Sequence, residues 1–382
     1  MHLRAMAIGV AAVACAAGPA LAGPNEGLQA MRELNIIVLG DMKAAHSIEG
    51  KTFVGGDLTG STTYGTGNTL QGLTPSSRAT VTVVGTASGA NMNISAGSNG
   101  GAGTLPPGLV VGGSVGNVDT ANNATIKVGG SMSGNLASGS TVQLGGAHTS
   151  GGNNGAVLQQ NLGAPFQTSL QNDLNAEKAK ISADVLALSS TLGNLTVTTL
   201  SQLTTTGQGY KFNAVDGGSG FALFDIDADV LLVNEFTFGI TGPLMPIIIN
   251  VRGANQANGD VIFNAKNIGA FNDDLNPWVI WNFVEDAQQA ATANPFNLII
   301  RNDDKHGSIL APLLAVSNDG ARIEGTLVAA SFDQKSQVHL GTFKGGDFLP
   351  GGAVPEPGTW AMMILGFGAV GAMVRRRRLV AA

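Results

Sequence analysis

Three aspartates at alternating positions, Asp225, Asp227 and Asp229, are the carboxylates whose spacing most readily suggests a binding site. Side chains two residues apart on a β-strand point to the same face of the sheet, and Ca²⁺ prefers several oxygen ligands. The same alternation is also typical of a solvated strand face opposite buried residues, here Phe224 and Ile226. We favour the solvated face and keep the three aspartates as weak calcium candidates.

Two acidic turns, each Asn-Asp-Asp, lie at residues 272–274 and 302–304. They allow the same two interpretations, and again a solvated turn is favoured over a metal loop. The sequence predicts no metal site and no cofactor.

Groups for catalysis are scattered along the chain. A catalytic site needs a nucleophile, a base and an orienting group within reach of one another. His2 lies near the N-terminus, and the other four histidines, His46, His148, His306 and His339, are far apart in sequence. We find no Gly-x-Ser-x-Gly elbow between a strand and a helix, no His-Glu-x-x-His pair and no phosphate loop. The sequence therefore predicts that the protein is not an enzyme.

The first 22 residues predict a secretory signal peptide. Arg4 gives a positive start, residues 5–17 are apolar with many small side chains, and Ala20-Leu21-Ala22 fits a signal-peptidase site. We expect signal peptidase to recognise Ala20 and Ala22 and the mature chain to start at Gly23. The single cysteine, Cys15, lies in this segment, so we expect no thiol or disulfide chemistry in the mature chain.

The C-terminal residues 351–382 combine an extended stem, an apolar segment and a basic cluster. The stem holds Pro355, Glu356 and Pro357, and its prolines disfavour helix. Residues 359–374 are uncharged and are predicted to be a transmembrane segment, although about 20 residues are usual for a bilayer. The arginines that follow resist translocation and are expected to retain the segment in the membrane: Arg375, Arg376, Arg377 and Arg378.

This C-terminal block resembles the PEP-CTERM sorting signal in its motif, apolar helix and arginine cluster. The run Trp360-Ala361-Met362-Met363-Ile364 followed by Gly366-Phe367-Gly368 is similar to one common variant of that signal. The resemblance implies processing by an exosortase near Pro355-Glu356-Pro357 and an association with exopolysaccharide or biofilm matrix. The alternative is an ordinary, permanent C-terminal membrane anchor.

The remaining chain is acidic and sparsely charged. The whole sequence holds 20 basic and 26 acidic residues, and removing Arg4, Arg375–Arg378 and Glu356 leaves 15 and 25, a net charge of −10. Nucleic acid is therefore not an expected partner, because binding it requires clustered Lys and Arg. With 55 glycines and 12% charged residues, the composition indicates β structure with many tight turns.

A weak repeat of an apolar residue followed by Gly-Gly or Gly-Thr runs through the first half of the predicted domain, residues 23–350. Copies begin at Val54, Val84, Val111, Val128 and Leu144. Each reads as a short strand, a glycine corner and a second strand, and such units bury their apolar faces only against their neighbours. Glycine suits corners that turn with positive φ or stack closely on the next coil. We predict a mainly β fold, a β-solenoid, in preference to a glycine-rich linker.

One stretch, at about residues 167–192, has helical periodicity. Leu170, Leu174, Ile181, Val185 and Leu188 recur at spacings of three, four or seven. Pro165 near the start and Gly193 after the end fit helix punctuation. We expect one long amphipathic helix packed along the solenoid, with a coiled-coil partner as the alternative.

Longer apolar strands are predicted after residue 208, separated by Gly, Asn and Asp. They cover residues 221–224, 230–233, 244–251, 261–263, 279–283, 298–300, 308–310, 321–323 and 327–330. The threonines Thr80, Thr82, Thr125 and Thr141 do not form a regular Thr-x-Thr ladder, so ice binding is not favoured.

Several segments resemble the choice-of-anchor A domain, over about residues 34–345. They are residues 34–41, 48–57, 281–283, 307–312 and 323–329. The resemblance implies an adhesin-like surface protein without enzymatic activity, and by analogy an ice-binding-protein-like β-solenoid.

The leading hypothesis is an exported, non-catalytic surface or matrix protein that acts in adhesion, with exopolysaccharide as a possible partner. We expect it to be anchored transiently in the inner membrane and then to reach the cell surface or the medium. One alternative is a surface glycan hydrolase with a dispersed acidic pair, since two carboxylates suffice for glycoside cleavage. The other alternative is a scaffold without a ligand.

Overall fold

A computed structural model of the chain describes residues 23–66, 76–95, 108–196, 201–267, 275–284, 296–346 and 348–349. Two α-helices lie within these residues, α1 (Pro24–Glu33) and α2 (Gly163–Gly193). Short 3-10 helices span Ala228–Leu232 and Asn276–Trp278. The rest of the regular structure is β.

The N-terminal arm, which precedes α2, is built from short strands. They are β1 (Ile36–Val38), β2 (Met42–Ala44), β3 (Thr52–Val54), β4 (Leu58–Tyr64), β5 (Val81–Val83), β6 (Ala87–Ile94), β7 (Gly108–Val111), β8 (Val115–Thr120), β9 (Thr125–Val128), β10 (Ser133–Asn135), β11 (Thr141–Leu144) and β12 (Val157–Gln159).

The C-terminal arm follows α2. Its strands are β13 (Gln202–Thr205), β14 (Gly209–Val215), β15 (Ala222–Asp227), β16 (Glu235–Thr241), β17 (Ile247–Arg252), β18 (Val261–Phe263), β19 (Lys266–Asn267), β20 (Val279–Phe283), β21 (Asn297–Arg301), β22 (Lys305–His306), β23 (Ser308–Asp319), β24 (Ile323–Glu324), β25 (Leu327–Asp333) and β26 (Val338–His339).

Parallel pairing stacks these strands into a three-sided solenoid. The first side, the helix-covered face, runs in the order β15-β17-β20-β23-β25-β1-β3-β5-β7-β9-β11-β12. The second side, the polar face, runs β18-β21-β23-β25-β2-β4-β6-β8-β10. The third side holds β14-β16-β19 and β22-β24-β26, and β13 pairs antiparallel with β14. The predicted β-solenoid is confirmed by this pairing.

Helix α2 returns the chain along the whole stack. Its 31 residues span about 46 Å, close to the roughly 50 Å that the helix-covered face extends at about 4.8 Å per strand. Near its start, Gln171 Nε2 donates to the Val84 carbonyl (3.1 Å). Near its end, Asn250 Nδ2 donates to the Leu192 carbonyl (2.8 Å). The helix therefore delivers the chain from the last coil of one arm to the first coil of the other.

The two arms meet at a seam between β25 and β1. Ile36 pairs with Leu327 on one side and with Thr52 on the other. Asn35 is fully buried there, and its Nδ2 donates to the carbonyls of Gly325 (2.7 Å) and His339 (3.0 Å). Its Oδ1 accepts from the Gly50 amide (3.1 Å). One buried amide thus joins coils that are about 290 residues apart in sequence.

The apolar residues form two layers. Inward residues fill the solenoid, with a cluster of aromatic rings around Trp281, whose Nε1 donates to the His306 carbonyl (2.9 Å). Outward residues of the helix-covered face, such as Ile37 and Phe53, pack under α1 and α2. Trp281 itself is fully buried.

Glycine corners stack backbone on backbone. A Cβ on Gly129 would lie less than 3.0 Å from the Gly112 carbonyl oxygen, and Gly145 stands in the same relation to Gly129. Neither residue has positive φ. Close approach of successive coils, rather than a left-handed turn, is what requires glycine at these corners.

Several predicted elements differ from the structure. Helix α2 starts at Gly163, about one turn before the predicted residue 167. The predicted strand at 230–233 falls largely on a 3-10 helix, Ala228–Leu232, because Leu231 must turn back into the core. Helix α1 and the strands β13, β14 and β16 were not predicted.

Candidate binding surface

The polar face carries two outward rows of polar side chains on the N-terminal arm. Strand registers place Ser61, Asn91, Asn117 and Ser133 in one row, and Thr63, Asn93, Asp119 and Asn135 in the next. We call these eight residues the polar grid. Neighbours within a row lie on strands about 4.8 Å apart, and the rows are two residues apart along each strand.

Buried and exposed side chains alternate along each strand, and this alternation produces the two rows. In β6, Ala90, Met92 and Ile94 are buried whereas Asn91 and Asn93 are exposed. Asparagine is depleted in strands, because its polar side chain favours turns. These outward side chains are exposed on one side of the solenoid, where a partner can reach them.

Apart from Asp119, the side chains of the polar grid are neutral hydrogen-bonding groups. Asn135 Nδ2 donates to Asp119 Oδ1 (2.8 Å), and its Oδ1 accepts from the Gly152 amide (3.0 Å). These bonds fix one edge of the grid. Amides and hydroxyls both donate and accept hydrogen bonds, which suits a hydroxyl-rich polymer.

The same face is charged on the C-terminal arm and on the adjoining strand β2. Lys335 Nζ lies 2.7 Å from Asp319 Oδ1 and 3.6 Å from Asp333 Oδ2, and Lys43 Nζ lies 3.9 Å from Asp333 Oδ1. Exposed ion pairs of this kind add little stability. They separate a charged half of the face from the polar grid, in which Asp119 is the one ionisable residue.

The predicted aspartate trio does not form a metal site. Asp225 and Asp227 are exposed at the end of β15, but Asp229 lies in the 3-10 helix, so the expectation that all three share one strand is wrong. Both oxygens of Asp225 accept from Arg252, at 2.6 and 2.9 Å. Within the described residues, no three His, Cys, Asp or Glu side chains form a group that could hold a metal.

The acidic turn at 302–304 is closed by its own ion pair and a buried lysine. Asp304 Oδ1 accepts from Arg322 Nε (2.9 Å), and Lys305 Nζ donates to the Asp303 carbonyl (2.6 Å). The other acidic turn, residues 272–274, lies outside the described residues.

Neither the threonines nor two of the aromatic residues form a regular binding surface. Thr125 pairs with Thr141 on the helix-covered face, and the row continues through Gly108 to Thr80, so the threonine ladder is interrupted. Tyr64 and Trp281 are buried and offer no stacking platform for a sugar.

The predicted processing residues lie outside the described part of the chain. These are Ala20 and Ala22, Pro355-Glu356-Pro357 and Arg375–Arg378. Among the residues that are described, no helix is long and apolar enough to cross a membrane, and the predicted segment 359–374 is not among them.

A parallel β-solenoid with an open polar face and a C-terminal sorting motif defines a surface-exported, adhesin-like protein. The motif match is the PEP-CTERM protein-sorting motif, at residues 353–378. The family model described as "Putative Ice-binding-like adhesive domain" matches residues 27–340. The chain belongs to this adhesive-domain family, and the choice-of-anchor A resemblance stays a prediction.

Among solved structures, the chain is similar to an ice binding protein from an Antarctic bacterium Flavobacteriaceae. That match has 13% sequence identity, covers 82% of each chain and has a TM-score of 0.24. The search of curated proteins finds no match.

Proposed function

We propose that the protein is a non-catalytic surface adhesin that binds the exopolysaccharide of its own matrix through the polar grid. An exosortase processes it near Pro355-Glu356-Pro357 after the segment at 359–374 has anchored it transiently in the inner membrane. The polar grid is the observation that carries the proposal. The sorting-motif match and the adhesive-domain family support the export and adhesion parts.

The position at which the chain leaves the domain supports the polar grid as the binding surface. Phe343 and Leu349, the last buried residues before the tail, belong to the apolar layer under the helices. The tail therefore leaves from the helix-covered side of the solenoid. The polar grid, on another side, stays open to a partner while the tail is attached to the membrane.

Catalysis is the alternative that we do not propose. A glycan hydrolase of the kind considered above needs two carboxylates free to exchange protons. The acidic pair that shares a cleft in the structure, Glu33 and Glu177, is held by one arginine, Arg78. Each of these carboxylates accepts a hydrogen bond from that arginine through one of its oxygens, so neither is free in the way that such a hydrolase requires.

Intact mass of the protein recovered from its host, after separation of membrane and medium, tests the sorting part. We expect a chain that starts at Gly23 and ends near residues 355–357. A chain that keeps Arg375–Arg378 would show a permanent anchor and would contradict exosortase processing.

Retention of host exopolysaccharide by the purified processed protein tests the adhesion part. The double variant Asn91→Lys and Asn117→Lys fills the centre of the polar grid with charged chains. We expect retention to fall at least about tenfold, because two lost hydrogen bonds at about 1 kcal/mol each exceed the roughly 1.4 kcal/mol that a tenfold loss requires. Asn122→Lys, in the exposed turn after β8, is the matched control. Equal retention by the unmodified protein, the double variant and the control would reject the polar grid as the binding surface. If no ligand bound but a deletion strain had a matrix defect, the scaffold hypothesis would be favoured.

A further inference from the structure

A second polar site lies away from the polar grid, in a cleft between α1, α2 and the helix-covered face. The cleft has a volume of about 620 Å³, within the roughly 300–1,000 Å³ that is usual for small-molecule sites. Charged and hydroxyl side chains line it: Glu33, Ser76, Ser77, Arg78, Thr82 and Glu177.

Arg78 joins the two helices across this cleft. Its Nε donates to Glu33 Oε2 (2.7 Å), and its Nη1 donates to Glu177 Oε1. Glu33 Oε1 already accepts from Gln29 Nε2 (2.7 Å). Burial raises the pKa of Glu177 against the opposing charge of Arg78. Glu177 Oε2 is the carboxylate oxygen of this network that is left for a ligand.

A buried lysine fixes the segment that carries Arg78. Lys51 is 1% exposed, and its Nζ donates to the Ser76 carbonyl (3.1 Å), Ser76 Oγ (3.0 Å) and the Arg78 carbonyl (2.8 Å). All three donors of the ammonium group are therefore used. A buried cation is costly to leave without hydrogen-bond partners. The Lys51 ammonium therefore holds residues 76–78 in one conformation at the rim of the cleft.

Thr82 presents an unused hydroxyl to the cleft. It is 7% exposed, it lines the cleft, and its hydroxyl has no hydrogen-bond partner among the described residues. The hydroxyl oxygen is not among the fully enclosed side-chain atoms that lack a partner, so it faces the open space of the cleft and can take a partner there. A group that enters the cleft would supply it.

We propose that this cleft binds a saccharide unit of one or two rings. Glu177 Oε2 and the Thr82 hydroxyl accept hydrogen bonds from sugar hydroxyls, and Ser77 and Thr82 donate to them. The many polar groups and the absence of aromatic rings from the described lining suit hydroxyl recognition rather than stacking. The inference rests on the proposed function for the source of the sugar, although the site is separate from the polar grid.

Saturation-transfer NMR on the processed protein tests the proposal. The probes are oligosaccharides released from host exopolysaccharide by partial acid hydrolysis and a panel of neutral and amino monosaccharides. We expect signal from at least one probe. Thr82→Val keeps the shape and removes the unpaired hydroxyl, and we expect about tenfold weaker binding with an unchanged or raised melting temperature. Glu177→Gln is expected to weaken the same probe.

Thr125→Val, on the same face but exposed, is the matched control and should bind as the unmodified protein does. The site would be overturned if no probe gave a signal. It would also be overturned if Thr82→Val and Glu177→Gln both bound the probe as tightly as the unmodified protein does. Retention of the polymer with no binding of fragments would reject the cleft alone. Failure of both measurements would reject the proposed function as well.

Discussion

The stacked glycine corners allow a sharp test of what holds the solenoid together. In Gly129→Ala, the added Cβ would lie less than 3.0 Å from the Gly112 carbonyl oxygen. That carbonyl has little freedom to move, because the amides on both sides of it are bonded: the Gly112 amide donates to the Val83 carbonyl (2.9 Å) and the Gly113 amide to the Gly85 carbonyl (2.8 Å). The substitution must therefore push two coils apart.

Overpacking that forces a backbone shift costs about 1–3 kcal/mol. At roughly 2–4 °C for each kcal/mol in a domain of this size class, about 2 kcal/mol lowers the melting temperature by about 4–8 °C. Thermal unfolding followed by circular dichroism measures this change. Gly207→Ala is the matched control, because Gly207 has ordinary φ and nothing within 4 Å of an added Cβ; its effect should stay within about 0.5 kcal/mol. If both variants melt alike, close approach is not the reason for glycine at the corners.

Three further predictions concern the seam, pH and calcium. Asn35→Ala leaves three buried backbone groups without their partner and should cost at least about 3 kcal/mol in denaturant unfolding, whereas exposed Asn91→Ala should be near neutral. The hydrogen bond with Glu324 raises the pKa of His339 above 6.5, so its stabilisation is complete below about pH 6.5 and is lost as pH rises through the folded-state pKa. A plot of melting temperature against pH should show this loss of stability, and His339→Gln should abolish it. If the variant lost stability over the same pH range, other groups would be responsible for the loss. Millimolar calcium should leave the melting temperature unchanged, because Asp225 is bound to Arg252; a rise of several degrees would reinstate the metal site.

The sequence pattern correctly predicted elements in which burial determines the spacing of the apolar residues. Strands β18 and β20 match the predicted residues 261–263 and 279–283. Strand β16 was missed although Phe236 and Phe238 alternate with exposed or half-buried residues, a period-two signal that was present. Helix α1 holds Gly27, a poor helix former in general, and packs against α2, where Gly27 lies next to the Asp184 carbonyl.

The candidate sites were harder to predict because they depend on stacking order. Asn91 and Asn117 are 26 positions apart, and only the register of β6 with β8 places them side by side. Glu33, Arg78 and Glu177 meet because α2 runs back along the stack past α1. Periodicity in a sequence identifies strands and helices but does not say which coil lies next to which.

The seam between β1 and β25 also sets the order in which this protein can fold. The N-terminal arm can stack locally, yet the edge of β1 has no partner until residues 327–329 arrive. Such a non-local pairing is slow to form, and an unpaired strand edge invites association with other chains. In the exported protein proposed above, nearly the whole domain must cross the membrane before the edge is covered. A chain cut short before β25 should therefore aggregate through β1 instead of yielding a smaller solenoid.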